Sequence, residues 1–429
     1  MFKNKLKILV FPCGSEIGLE IYRSLTCEKN IELIGGNSIN DHGRFVYKNY
    51  EGNIPFIYDS NFINFLGKFV NERKIDMIYP TMDEVISILK QNEENLGCKV
   101  IGPDIYYAQI CNSKTKTYEY LRDSVKVPEI YPTVEKINDF PVFIKPDKGY
   151  GSRKTLKANS KDEVIYWLKK NNESEMIILE FLSGKEYTVD CFSNYKNELM
   201  FCGARTRNRI LNGISVNTKE YLKRIEEIND IAKKINKILK LNGAWFFQLK
   251  ENGKGDLVLL EVASRLGGSS GLFRAKGINF ALLTIYDARG YDIKILKNDF
   301  IVEMDRALDN KYELNIKYDT VYLDLDDSLI IDEQLNTELI KFLYQCINKK
   351  IKIVLITKHR NNLKETLKKK RLTQVFDQVI HIDENDEKAN YIDNKNSIFI
   401  DDSFSERIKI INKIEIPVFG IDAVSCLIN

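Results

Sequence analysis

Thr320-Val321-Tyr322-Leu323-Asp324-Leu325-Asp326-Asp327-Ser328 is a short apolar run that ends abruptly in carboxylates. Such a run, bounded by polar residues, predicts a buried strand over residues 320–325 with the acidic groups at its C-terminal end. The same rhythm continues downstream. Strands are expected at 351–356, 379–382, 397–400 and 416–421, and helices at 337–349, 362–370, near Glu387 and at 406–413. Strands alternating with helices in this way predict a doubly wound, Rossmann-like parallel sheet over residues 318–429. In an open parallel sheet the functional groups gather in the crevice at the carboxyl ends of the strands. Here the first strand ends in Asp324, Asp326, Asp327 and Ser328, the second in Thr357-Lys358 and the fourth in Asp401-Asp402, while Lys388 precedes the fourth. Aspartates crowded on one edge repel unless a cation neutralises them, and oxygen ligands suit a hard ion such as Mg²⁺.

A crevice with two carboxylates, a hydroxyl and an ammonium suits phosphoryl transfer through an aspartyl phosphate. In their order along the chain, these parts resemble the haloacid dehalogenase (HAD) superfamily of phosphatases. The resemblance implies Asp324 as nucleophile and Asp326 as general acid/base. It also implies Ser328, Thr357 and Lys388 on phosphate, and Asp324, Asp326, Asp401 and Asp402 around the metal. Ser328 stands where that family usually has threonine, which preserves the hydroxyl. The intervals from Ser328 to Thr357 and from Thr357 to Lys388 are too short for a cap domain, so an open site for bulky or tethered substrates is expected.

Upstream, residues 7–11 form an apolar run that leads through Gly14-Ser15-Glu16-Ile17-Gly18 into a helical pattern, and apolar runs at 31–34, 77–79 and 100–101 follow. This predicts a small parallel α/β domain over residues 1–110. Residues 111–300 read as α+β, with a long helix at 219–241 and a strand pair of 177–181 with 187–192. Residues 301–317 are charged and poorly periodic, and read as a linker.

Within the middle region, Pro141-Val142-Phe143-Ile144-Lys145-Pro146 is followed by Gly149-Tyr150-Gly151-Ser152-Arg153. A lysine at a strand end before a glycine loop supplies a cation and closely approaching N–H groups for a polyphosphate. Beyond it stand Ile178-Leu179-Glu180-Phe181-Leu182-Ser183-Gly184-Lys185-Glu186, Phe247-Gln248 and Leu259-Leu260-Glu261-Val262-Ala263-Ser264-Arg265. The set resembles the ATP-grasp superfamily, in the branch of carbamoyl phosphate synthetase, biotin carboxylase and amino-acid ligases, over most of residues 1–295. That resemblance implies a pre-ATP-grasp domain followed by an ATP-grasp fold. Lys114 and Lys145, with loop residues Gly149, Gly151 and Ser152, would hold phosphates, Glu180, Phe181 and Leu182 adenine, and Glu186 the ribose. Gln248 and Glu261 fall at its metal positions, and Arg265 at the arginine that stabilises an acyl phosphate. Ala263 departs from the pattern, which has asparagine there. Arg205, Arg207 and Arg209 follow a strand at 199–203, and alternation places them on one face. Arg205 and Arg207 are therefore candidates for recognising an anionic substrate. Asp190 and Tyr187 read as structural.

The 64 basic and 61 acidic residues of the 429 leave a formal charge of +3 with no long single-sign block, so a nucleic-acid partner is not implied. Eight cysteines without a CxxC pair and three histidines (His42, His359, His381) lack the material for a zinc site or disulfide framework, and fit a reducing cytoplasm. The run at 6–10 reads as a buried strand, and no apolar stretch has the length of a membrane span. The expected whole is an α/β and α+β multidomain enzyme using ATP and Mg²⁺, with Mn²⁺ as the alternative ion. It would join a small-molecule carboxylate to an amine and dephosphorylate a related compound, and a homodimer is compatible with it. Two other readings remain open: a nucleotide sensor regulating the phosphatase, and a ligase carrying a non-catalytic HAD-like scaffold.

Overall fold

The computed structural model describes residues 5–149, 151, 154–309, 312 and 314–428. The chain divides into two compact units, Met1–Leu308 and Asp309–Asn429. No helix among the described residues is long and apolar enough to cross a membrane.

The first unit opens with strands β1 (Leu6–Phe11), β2 (Ile31–Gly36), β3 (Asn49–Glu51), β4 (Met77–Pro80) and β5 (Lys99–Val100), which form one parallel sheet in the order β3-β2-β1-β4-β5. Helix α1 (Glu16–Leu25) follows β1, and the Ser15 hydroxyl caps it by accepting from the Gly18 N–H at 3.0 Å. Leu6, Ile8 and Val10 face one core and Leu9 and Phe11 another, which is why β1 reads as a continuous apolar run. The first of these cores also contains Leu266, Leu272, Phe273 and Phe280. Residues 1–110 and 111–300, expected as separate domains, therefore share apolar packing.

Helices α2 (Asp83–Gln91) and α3 (Lys114–Leu121) lead into two antiparallel sheets. The smaller holds β6 (Ile130–Tyr131), β7 (Val142–Pro146), β8 (Leu156–Ala158) and β9 (Met176–Glu180), in the order β6-β9-β7-β8. The larger holds β10 (Glu186–Ser193), β11 (Leu199–Thr206), β14 (Gly243–Glu251) and β15 (Leu257–Ala263), in the order β11-β10-β14-β15. The expected pairing of 177–181 with 187–192 is therefore corrected: β9 and β10 belong to different sheets. The chain crosses between them at residues 181–185, where a Cβ on Gly184 would stand 2.5 Å from the Cβ of Glu251.

Two further expectations change. Strands β12 (Arg209–Leu211) and β13 (Ile214–Lys219) precede α4 (Ile225–Leu239), so the helix expected from 219 starts later. The helix cannot begin before Ile225 because Arg224, its N-cap, has φ of 56°, in the left-handed region. The linker also starts later than residue 301, because β16 (Glu303–Asp305) pairs antiparallel with β13 and Arg306 donates to Glu16 at 2.9 Å. A three-residue strand held by polar side chains has no apolar signature.

The second unit contains β17 (Thr320–Leu323), a short hairpin of β18 (Ile330–Ile331) and β19 (Gln334–Leu335), β20 (Lys352–Thr357), β21 (Gln378–His381), β22 (Ser397–Ile400) and β23 (Val418–Phe419). Its main sheet is parallel throughout, in the order β21-β20-β17-β22-β23. Val321 and Leu323 point into one core and Tyr322 into the other, as a doubly wound sheet requires. Helices α5 (Thr337–Asn348), α6 (Leu363–Lys369) and α7 (Phe404–Ile414) are capped by Asn336, Asn362 and Ser403. Between β17 and α5 only the small hairpin intervenes, in keeping with the expected absence of a cap.

Candidate functional site

Cross-strand register in the larger antiparallel sheet places Arg205 opposite Thr188, Thr188 opposite Gln248, and Gln248 opposite Glu261. Directly paired residues share a face, so these four side chains form one row across four strands. The opposite face, with Tyr187, Val189, Phe247 and Leu249, is buried in the core beneath α4.

At one end of this row lies a cleft of about 360 Å³, lined by Lys114, Lys145, Glu180, Phe181, Leu182, Glu186, Gln248 and Glu261 together with Gly149 and Gly151. It gathers the candidate nucleotide residues, except Ser152, which lies outside the described residues. Lys114 Nζ donates to the carbonyls of Asp147 (3.1 Å) and Gly149 (3.2 Å) and so fixes the start of the glycine loop. Gly149 and Gly151 have φ of 122° and 71°, which only glycine adopts without strain. Lys145 is buried and donates to Tyr118 Oη (2.9 Å) and the Leu260 carbonyl (3.1 Å). Burial pushes its ammonium down to about 7, with Lys114 adding to the fall and Glu261, Glu186 and Asp147 opposing it. The Glu180 carboxylate accepts from the Glu129 N–H at 3.1 Å.

A second cavity, about 850 Å³, shares Gly151, Gln248 and Glu261 with the cleft and is lined further by Gly14, Ser15, Asp41, Thr188, Arg205, Arg207 and Arg265. Arg265 is held by Asp83 at 2.8 Å and its guanidinium lies 5.2 Å from the Phe246 ring centre. Asp83, the first residue of α2, was not among the expected site residues. A contact spanning so much sequence leaves no local signal. Of the three arginines expected on one face, Arg205 and Arg207 both line this cavity and Arg209 does not. Arg205 is buried against Asp190 at 2.6 Å, Arg207 lies 3.1 Å from Glu186, and Arg209 begins β12 and pairs with Asp305 at 2.8 Å. The alternation fails because β11 stops at Thr206. Asp190 is structural, and Asp190→Ala, which leaves the Arg205 guanidinium buried and unpaired, should lower stability by about 3–5 kcal/mol; urea unfolding of the full chain checks this. Gln248 and Glu261 are paired across β14 and β15 and both line the two cavities, whereas the side chain of Ala263, paired with Phe246, has no ligand atom to offer.

In the second unit the carboxyl ends of β17 and β22 bring Asp324, Asp401 and Asp402 together, with one oxygen of each within 4.8 Å of the others. Lys388 Nζ bridges Asp324 (2.8 Å) and Asp401 (2.6 Å). Three carboxylates against one ammonium leave net negative charge, which fits a divalent cation. Burial pushes the Asp324 carboxyl up to about 6, with Lys388 opposing and Asp401 reinforcing the rise. Burial also works against the Lys388 ammonium, but its two carboxylate neighbours outweigh it and raise its pKa.

Two residues sit differently from expectation. Ser328 Oγ donates to Asp402 Oδ1 (3.0 Å) and accepts from the Asp402 N–H (2.9 Å), so here the hydroxyl anchors Asp402. The Asp326 carboxylate stands outside the acidic group, turned to His359 Nδ1 at 2.8 and 3.0 Å. Thr357 is buried and accepts from the His359 N–H at 3.2 Å. His359 was set aside as one of three scattered histidines. Its position two residues beyond Thr357 is the signal that could have marked it.

Residues 172–315 match a family described as ATP-grasp in the biosynthetic pathway with Ter operon. Among curated proteins, a D-alanine--D-alanine ligase of Fusobacterium nucleatum is 34% identical over 95 residues, covering 22% of this chain and 32% of that protein. A Thermotoga petrophila D-alanine--D-alanine ligase is 26% identical over 107 residues, 24% of this chain and 35% of its own length. The chain thus spans about a third of the length of the curated relatives it matches. Among solved structures, N5-carboxyaminoimidazole synthetase of Staphylococcus aureus, complexed with ADP, aligns with a TM-score of 0.58 at 16% identity over 68% of this chain and 79% of that one. Biotin carboxylase of Campylobacter jejuni aligns at 0.56 and 17%, covering 67% and 72%. L-amino acid ligase of Bacillus licheniformis aligns at 0.54 and 16%, covering 67% and 75%. The fold is ATP-grasp-like.

Proposed function

We propose that the first unit is an ATP-dependent carboxylate–amine ligase and that the second is a Mg²⁺-dependent phosphohydrolase with an aspartate nucleophile. The observation that carries the ligase reading is the meeting of two cavities at Gln248 and Glu261. A nucleotide in the smaller cleft, phosphates toward Lys114 and Lys145, directs its γ-phosphate to that junction, where a carboxylate in the larger cavity can attack it. Lys145 and Arg265 neutralise charge on the transferring group, and an amine then displaces phosphate from the acyl phosphate to give the amide. Mg²⁺ held by Gln248 and Glu261 would add charge neutralisation. The D-alanine--D-alanine ligase relatives support the choice of carboxylate and amine as substrate classes.

ADP release from purified full-length protein, ATP and a matrix of carboxylates and amines tests this. Release that requires both partners is expected, and no release across a broad matrix sinks the ligase reading. Ala263 favours a second reading, a nucleotide sensor without ligase turnover. That alternative predicts ATP binding with no partner-dependent ADP release, and ester hydrolysis that changes when ATP is added.

The phosphohydrolase reading rests on Lys388 bridging Asp324 and Asp401 beside Asp402 at the ends of adjacent parallel strands. Its test is Mg²⁺-dependent release of phosphate from simple phosphate monoesters.

A further inference from the structure

Asp326 and His359 form a pair that the proposed chemistry leaves unexplained. Asp326 is half exposed at 47%, whereas the His359 side chain is 8% exposed. The ring is tied at both nitrogens: Nδ1 faces both Asp326 oxygens, and Nε2 lies 2.9 Å from Thr366 Oγ1 on α6. Its backbone is tied as well, because the His359 carbonyl accepts from His381 Nε2 at 2.7 Å, at the end of neighbouring β21. A buried ring anchored by Thr366, and through its backbone by His381, thus holds a half-exposed carboxylate in one orientation, two residues after Asp324 and outside the acidic group. The Thr366 hydroxyl can donate to Nε2, which leaves the ring proton on Nδ1 to be donated to the Asp326 carboxylate.

We propose that His359 is a positioning residue that holds Asp326 as the proton donor and acceptor of ester cleavage. The inference rests on the phosphohydrolase reading. In the first step an Asp324 oxygen bonds to phosphorus as the ester P–O bond breaks, and the Asp326 carboxyl gives its proton to the departing oxygen, releasing an alcohol. In the second, water attacks phosphorus, the bond to Asp324 breaks, the water proton passes to Asp326, and inorganic phosphate leaves. A carboxyl free to rotate would deliver its proton in only a fraction of encounters.

Leaving groups separate positioning from mere stability. 4-Nitrophenolate departs without a proton, whereas the alkoxide of glycerol 3-phosphate needs one. With full-length protein and Mg²⁺, His359→Ala should lower kcat/KM, which reports the steps up to departure of the alcohol and leaves out the shared hydrolysis of the aspartyl phosphate, by about 30-fold or more on glycerol 3-phosphate and by less than about threefold on 4-nitrophenyl phosphate. His359→Asn, whose amide N–H replaces Nδ1–H, should recover much of the loss. Mg²⁺-dependent binding of beryllofluoride, read as a thermal shift, should persist in His359→Ala and show an intact crevice. Equal losses on the two esters, or no loss on either, would overturn the positioning role. If the wild-type protein cleaves neither ester, the phosphohydrolase reading has itself failed and the inference falls with it, an outcome distinct from an active wild type with an indifferent His359.

Discussion

Asp324→Asn is expected to lower Mg²⁺-dependent ester hydrolysis by about 10⁴-fold or more, because the amide cannot form the aspartyl phosphate. The same change should make the unit more resistant to heat when divalent ions are chelated. Burial pushes the Asp324 carboxyl up to about 6, above its unfolded value. An acid raised in this way costs the folded state nothing below the unfolded pKa, and its stabilisation relative to the charged form is lost as pH rises through about 6. At pH 7 the wild-type carboxylate is charged, held beside Asp401 and offset in part by Lys388 and the Leu325 N–H, and asparagine removes that cost. Melting curves in EDTA should therefore place the variant above the wild type at pH 7, with the difference vanishing near pH 4. Mg²⁺ should raise the wild-type Tm more than the variant's. An inactive variant that is less stable in EDTA would show that Asp324 serves the fold through Lys388 rather than the chemistry.

The second large effect belongs to Lys145. Lys145→Met keeps the length of the side chain and removes an ammonium aimed into the cleft, so ATP affinity should fall by about 30- to 100-fold, the worth of a charge-assisted contact. The wild-type protein should also take up a proton on binding. Its Lys145 ammonium titrates at about 7 in the free protein, and a polyphosphate favours the charged form. Affinity should accordingly be greatest at or below pH 7 and weaken as pH rises above it, by at most about tenfold per unit. Calorimetry of ATP binding in buffers of different ionisation enthalpy checks this, and the proton uptake should disappear in Lys145→Met. Wild-type affinity independent of pH between 7 and 9 would contradict the reading of Lys145 as the phosphate-facing cation.

Much of the second unit was legible because its determinants are local. A parallel strand buried on both faces writes itself as a continuous apolar run, and the crevice lies where such runs end, so Asp324, Thr357, Lys388 and Asp401 could be placed from one sequence. What could not be read depended on side-chain direction. Nothing in the order of residues turns Asp326 toward His359 or ties Ser328 to Asp402. In the first unit the nucleotide cleft was legible through Lys145, Glu186, Gln248 and Glu261, which sit at strand ends or in phase on a sheet face. Arg205 and Arg207 do line the larger cavity, but Arg209 does not, because alternation was carried past Thr206, where the strand ends; that Arg205 would be paired to Asp190 on the neighbouring strand could not be read from the order of residues. Asp83, which holds Arg265, opens the helix α2 that follows β4 and had no sequence signal at all.

The row Arg205–Thr188–Gln248–Glu261 also works as a ruler. Neighbouring strands stand about 4.8 Å apart, so three spacings set the Glu261 and Arg205 backbones about 14 Å from each other. A compound whose reacting carboxyl sits at Glu261 must extend well beyond the dimensions of a single small amino acid before any of its atoms comes near Arg205. On the ligase reading the sheet thereby turns strand count into a measure of molecular length, and a carboxylate substrate that spans the row would be sorted from shorter ones by reach before charge or shape is consulted.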